Sequence, residues 1–265
     1  MSLHHFYAQA KAAHSIIANA ASTRQAANPN EIIQLLADLE SHGVTIANAD
    51  KYRDLVNYEA PTYQAPDPFT ATPAEAHLAV TENGLRGGEA TRRIANAWHQ
   101  YTINAGRALL DQMSAEADTY LDTIRPAFDT AAATVAAALA LDLDHNTSYA
   151  DLIETGTPEQ IDAWRAYLDA RTTLDRIATT RIAMSAWLDL PPQGNANHAN
   201  EVPDYTPAFV PANVPMKRDP EDLSPNAIAH RWLDLQTANG NGLHLAPVAD
   251  LHAQGYATGR ATSVA

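Results

Sequence analysis

Thr157-Pro158-Glu159-Gln160-Ile161-Asp162-Ala163-Trp164-Arg165-Ala166-Tyr167-Leu168 is the stretch from which the fold of this chain is most directly read. A threonine stands before a proline, and a glutamine follows three residues after the threonine. Proline suits the first helical position because the N–H it lacks would have no acceptor within the helix there. Threonine and glutamine at this spacing can each accept from the other's backbone N–H, which closes a capping box. Behind the box, Ile161, Trp164 and Leu168 step by three and four, and Ile182 continues the same face. That is the period of a helix with one apolar stripe. Pro191-Pro192 supplies the stop, so a long helix is predicted over residues 157–190.

The same cap-proline signature recurs at Asn28-Pro29, Thr72-Pro73 and Ser224-Pro225, with Glu31 and Glu75 three residues past the first two caps. Apolar-periodic sequence follows each of them. Four such starts select an all-α fold. The helix opening at Pro29 is expected to run to about Ser41, with Ile32, Leu35, Leu36 and Leu39 on its buried face and Gly43 ending it. Further helices are expected over roughly residues 3–21 and 47–58.

Between the glycines at Gly87-Gly88 and Pro126, only Gly106 interrupts good helix-forming sequence, so one continuous helix is expected over residues 89–125. Ile94, Trp98, Tyr101, Ala105 and Ala108 form a heptad-like seam along it. The seam then slips by one residue to Leu109, Met113, Ala117, Tyr120 and Ile124, as at a coiled-coil stutter. Pro126 is expected to kink or end this helix, and Phe128, Val135 and Leu139 extend the stripe to about Leu143. The domain organisation follows. Residues 1–59 form an N-terminal helical region, and 60–71, rich in proline, an extended connector. Residues 72–190 form a central elongated bundle of long antiparallel helices.

Residues 191–265 are expected to form an extended proline-rich C-terminal arm with short helices. Eight prolines fall between Pro191 and Pro225, yet Tyr205, Phe209, Val210 and Val214 stand among them. A disordered linker has no need of such hydrophobes, so the arm is expected to lie against another surface. A short helix with Ile228, Trp232 and Leu235 as its apolar face is predicted from Pro225 to about Ala238.

Composition excludes several kinds of function. Alanine supplies 53 of the 265 residues, and this best of helix formers buries little area. Close helix packing with thin cores is the consequence. The net charge of −14 argues against nucleic acid, whose binding rests on Lys and Arg neutralising phosphates. No cysteine is present, which removes thiol nucleophiles, disulfides and thiolate metal sites. The charge-free stretch from Thr130 to Leu141 has twelve residues, too few to cross a bilayer. No membrane insertion is expected, and cytoplasmic synthesis is the reading of the amino terminus.

Asp142, Asp144, Asn146 and Ser148 carry oxygen at the spacing of a calcium loop, with Asp151 and Glu154 beyond. Thr147 replaces the turn glycine, and Ile153 stands where the bidentate glutamate belongs. A polar turn capping the next helix is therefore preferred, and no metal is assigned. The eleven histidines, among them His4-His5, His244 and His252, form no zinc motif. Gly84, Arg86, Gly87, Gly88, Arg92 and Arg93 lack the lysine of a phosphate loop and fit a hinge between helices. Asp118 and Asp122 are expected on a solvated helix face. Trp98, Tyr101, Trp164, Tyr167, Trp187 and Trp232 are expected as core anchors, some of them as interface anchors. No catalytic residue, cofactor or metal ligand is assigned.

The function expected from these features is non-enzymatic: a structural or assembly protein, homo-oligomeric, repeated in a larger particle such as a virion or phage-like capsid, connector or tail. Its partners would be itself and other assembly proteins, met through residues 191–225. The alternative is a small-molecule or metal-dependent helical enzyme with a site between the long helices.

Overall fold

The computed structural model describes residues 28–58, 72–74, 77, 89–191, 205–211, 229–239 and 242–255. The helix expected over 3–21, the connector at 60–71, the hinge at Gly84–Gly88, Val214 and the Ser224-Pro225 cap lie outside them. The described residues are mostly helical and contain no strand. In chain order the helices are α1 (Pro29–Glu40), α2 (Ala49–Val56), α3 (Glu89–Ala115), α4 (Ala117–Leu139), α5 (Tyr149–Thr155), α6 (Pro158–Leu188), α7 (Arg231–Asn239) and α8 (Val248–Ala253). A short 3-10 turn at Thr206–Ala208 precedes α7.

The local signals act as their chemistry requires. Thr157 and Gln160 close a full capping box on α6: the Thr157 Oγ1 accepts from Gln160 N at 3.2 Å, and Gln160 Oε1 from Thr157 N at 3.1 Å. Asn28 caps α1 by accepting from Asn30 N at 3.1 Å. The four apolar residues expected on α1 are all buried. Gly43, at φ +80°, then turns the chain as only glycine does without strain. At the far end of α6 the helix stops at Leu188, before the two prolines, with Asp189 in the left-handed region.

The longest expected helix is instead two. Glu116 leaves helical geometry at φ −100°, ψ 5°, and separates α3 from α4. Its carboxylate accepts from Gln112 Nε2 at 3.2 Å and from the Tyr120 hydroxyl at 2.7 Å, so the break is held by side chains from both flanking turns. The break falls seven residues past the register slip read between Ala108 and Leu109. Pro126 does not end the helix. It lies inside α4, where Ile124 and Phe128 are buried on either side of it. Packing of that face outweighs the lost backbone hydrogen bond, worth about 3 kcal/mol with its steric clash.

The buried face of α3 also differs from the expected seam. Ile103, Leu109, Leu110 and Met113 are buried, whereas Trp98, Tyr101 and Ala108 are exposed. The physical reason is Gly106. A Cβ there would lie 2.8 Å from both Ile32 Cδ1 and the Tyr52 hydroxyl, so the missing side chain lets α1 and α2 approach on this side. Past Leu109 the seam is as read: Met113, Ala117, Tyr120 and Ile124 are all buried.

α4 and α6 form the most extensive helix pair. They run in opposite directions: Gln160 Nε2, at the start of α6, donates to Leu141 O beyond the end of α4. At the other end the Ser114 hydroxyl donates to Leu188 O. α1 and α3 pack on α6, and α2 on α3. The hydrophobes of the proline-rich segment touch this same body. Tyr205, Phe209 and Val210 are buried in one core with α4 and α6, together with Trp232, Leu233 and Leu235 of α7. Backbone bonds from His244 N to Phe209 O and from Ala246 N to Ala208 O join the two C-terminal segments. Asp118 is not solvated: its carboxylate accepts from Val248 N at 2.6 Å and Ala249 N at 3.3 Å, capping α8. Asp122 pairs with Arg125, whose guanidinium donates to Leu245 O.

Candidate functional site

α2 and α3 lie side by side where Gly106 allows close approach, and aromatic residues meet between the segment just past α2 and the first half of α3. Trp98 and Tyr101 are three residues apart on α3, hence neighbours on one face of that helix. Tyr58 follows α2 and reaches the same spot. The Tyr58 and Trp98 ring centroids are 5.2 Å apart, and those of Trp98 and Tyr101 are 5.7 Å apart with planes 30° from parallel. Such pairs attract by their offset or tilted π systems. Yet Tyr58 is 54%, Trp98 40% and Tyr101 59% exposed. The ladder stands in water, while Trp164, Tyr167, Trp187 and Trp232 are buried as expected of core anchors.

Below the ladder, a groove of about 350 Å³ runs between the two helices. Tyr101, Leu55, Ala105 and Ala108 give it an apolar wall, and Asn48, Lys51 and Gln112 line its rim. Asn48 holds a left-handed φ of 65°, and its side-chain amide donates to Gln112 Oε1 at 3.1 Å, tying the rim of α2 to α3. Tyr52 forms the floor. Its hydroxyl is buried without a hydrogen-bond partner, and burial pushes its pKa up to about 12. What the groove can do chemically is bind another apolar or aromatic surface.

The calcium-like loop is a capped turn. Asp144 Oδ1 accepts from Asn146 N at 2.8 Å, and Asp144 N donates to Thr147 Oγ1 at 2.9 Å. Burial pushes the Asp144 carboxyl up, but the hydrogen bonds its oxygens accept from Asn146 and from the Thr147 hydroxyl hold it below the usual carboxylate range. Ser148 is the N-cap of α5, accepting from Asp151 N at 3.1 Å. Asp142 takes the left-handed turn, at φ 59°, that ends the α4 segment. The loop's oxygens thus serve backbone donors. His145 lies within it, its Nδ1 3.5 Å from Asp234 Oδ1 on α7. Among the described residues no group of three or more His, Asp or Glu is arranged to hold a metal ion. His4-His5 and residues 84–88 lie outside the described residues.

The ladder could not be recognised as exposed from the sequence, because Trp98 and Tyr101 sit on the apolar stripe that reads as core. Gly106 marks where α1 and α2 come close to α3, but nothing in its position shows that the Trp98–Tyr101 stretch is left uncovered. No protein family, curated protein or solved structure matches this chain.

Proposed function

We propose that this protein is a non-enzymatic assembly protein that self-associates, with the Tyr58–Trp98–Tyr101 ladder and the groove beside it as the contact between copies. The observation that carries this reading is the ladder: three large rings packed on one another yet open to water. Exposed aromatic surface of this kind is enriched where proteins meet. A second copy is the fitting occupant. A surface of ring faces and edges is complementary to another of the same kind, so a two-fold axis through it sets ring against ring. Chains of net charge −14 repel one another over most of their surface. Here the rings carry no charge, and the groove's single charged side chain is cationic Lys51.

An elongated antiparallel bundle with a proline-rich segment is the form we propose for such a unit, repeated in a larger particle of the virion or phage-like kind. We assign the contact to the ladder rather than to residues 191–225. Tyr205, Phe209 and Val210 of that segment are already buried against the chain's own helices.

Sedimentation equilibrium over a wide concentration range tests the proposal. The wild-type chain is expected to rise in mass to a defined multiple of the monomer. A Trp98→Ala/Tyr101→Ala double variant is expected to stay at the mass of one chain with its helical circular dichroism intact. A wild-type chain that is monomeric at every concentration, or a double variant that assembles as well as wild type, would overturn it.

A further inference from the structure

Away from the ladder, a second groove lies between the end of α1 and the middle of α6. Thr172, Arg176 and Thr179 line it from α6 at helical spacing, and Ser41 and His42 face them from the turn that follows α1. Its volume is about 470 Å³, the scale of a small-molecule site.

The charges in it are unevenly matched. Arg171 and Arg176 both border the groove, with Asp175 between them in sequence. Asp175 is already engaged: its Oδ1 accepts from an Arg231 guanidinium nitrogen at 2.7 Å and from Trp232 Nε1 at 2.6 Å. Only its Oδ2 remains for Arg171, at 3.7 Å from Nε. Arg176 has no carboxylate in ion-pair range among the described residues, and reaches only Ser41 Oγ, at 3.5 Å. Asp38, the other acid at the rim, accepts from Gln34 Nε2 at 2.8 Å. With Arg231 on Asp175, three guanidiniums stand against the two carboxylates of Asp38 and Asp175, a local excess of one positive charge on an acidic chain, and guanidinium forks match the geometry of phosphate and carboxylate.

The hydroxyls around it have a defined polarity. Thr172 donates its hydroxyl proton to Leu168 O at 3.0 Å, Thr179 to Asp175 O at 2.9 Å and Ser41 to Asp38 O at 2.7 Å. A hydroxyl has one proton to give, so these three oxygens face the groove as acceptors. They would repel a bare anion and welcome a ligand's own hydroxyl groups. His42 is bonded to Thr180 Oγ1 at 3.0 Å, and burial together with the nearby Arg176 holds its pKa below the usual histidine range. The ring is a neutral wall at physiological pH.

We infer that this groove binds a small organic phosphate bearing hydroxyl groups, with the oxyanion on Arg171 and Arg176 and the hydroxyls on the oxygens of Thr172, Thr179 and Ser41. The site is separate from the ladder and does not depend on self-association. Neither half of its chemistry suffices alone: inorganic phosphate satisfies only the cations, and a neutral polyol only the acceptors.

Isothermal titration calorimetry of the full chain with glycerol 3-phosphate, inorganic phosphate and glycerol tests this. Glycerol 3-phosphate is expected to bind with a Kd on the order of 1 mM or tighter, inorganic phosphate about tenfold more weakly, and glycerol not measurably. Arg176→Gln is expected to weaken glycerol 3-phosphate about tenfold. It should leave thermal stability unchanged, since Arg176 holds no ion pair among the described residues. Trp98→Ala should bind as wild type. Absence of glycerol 3-phosphate binding, equal binding of inorganic phosphate, or unchanged binding by the Arg176→Gln variant would each overturn the inference.

Discussion

Two trios of aromatic rings in this protein are built from similar contacts and differ in what covers them. Phe128, Phe209 and Trp232 have centroids 5.7 to 6.3 Å apart, with Trp232 edge-on to both phenylalanines. All three are fully buried. Tyr58, Trp98 and Tyr101 approach at least as closely and stand in water. The first trio joins three segments distant in sequence, so it exists only when the chain has folded. In the second, Trp98 and Tyr101 meet because they are three residues apart on one helix. Ring contact alone therefore says little about role. Coverage by the rest of the chain decides whether an aromatic cluster holds the fold or waits for a partner.

The comparison breaks most easily at Trp232. Trp232→Ala empties the centre of the buried trio and removes an N–H that Asp175 accepts. A loss of about 3–5 kcal/mol is expected in urea unfolding. A loss under about 1 kcal/mol would mean that the C-terminal segments rest only loosely on α4 and α6.

Raising the pH probes the buried side next. Burial pushes the pKa values of Tyr52 and Tyr205 up to about 12, and raises those of Tyr120 and Tyr167 as well. Each folded-state hydroxyl thus keeps its proton after the unfolded chain, near pH 10, has begun to lose it. The stabilisation is complete below pH 10 and is lost as the pH climbs towards 12. Buried Arg181 acts the other way, because its pKa is lowered to about 10 and its desolvated charge is relieved over the same range. Four tyrosines outweigh one arginine. The melting temperature is expected to fall between pH 9.5 and 11, by an amount equivalent to about 3–4 kcal/mol.

Gly106→Ala sharpens the account of which face of α3 is buried. Alanine at an exposed helical site would stabilise by about 1 kcal/mol. Here the new methyl would meet Ile32 and Tyr52, both buried, so a net destabilisation of about 1 kcal/mol is expected in thermal unfolding. The smallest effect belongs to the exposed trio: Trp98→Ala should change monomer stability by less than about 0.5 kcal/mol. Its consequence is expected in association instead.

The start of α6 was legible to the residue because the atoms that fix it lie within one turn. Thr157, Pro158 and Gln160 satisfy their own backbone. The buried face of α1 was equally legible, since its four large aliphatic side chains can point only one way. The split at Glu116 was not. That residue is an ordinary helix former, and its geometry is set by the packing on either side of it. Asp118 read as solvated because the two N–H groups it caps arrive from α8, far along the chain. The apolar wall and rim of the groove beside the ladder were hidden for the same reason, being shared between α2 and α3. The Arg171–Arg176 groove was hidden more deeply, since its character depends on Arg231 and Trp232 engaging Asp175 from α7.

What the sequence determined by itself is that this chain is helical, where several helices begin and end, and which residues of α1 and the second half of the α3 seam face inward. Those outcomes follow from hydrogen bonds and side-chain spacing confined to a few residues. Only the tertiary structure decided that Tyr205 and Phe209 belong to the core while Trp98 and Tyr101 do not. Burial is a property of what approaches a residue from elsewhere in the chain. Here the approach is governed by one glycine on α3 and by the docking of the C-terminal segments on α4 and α6.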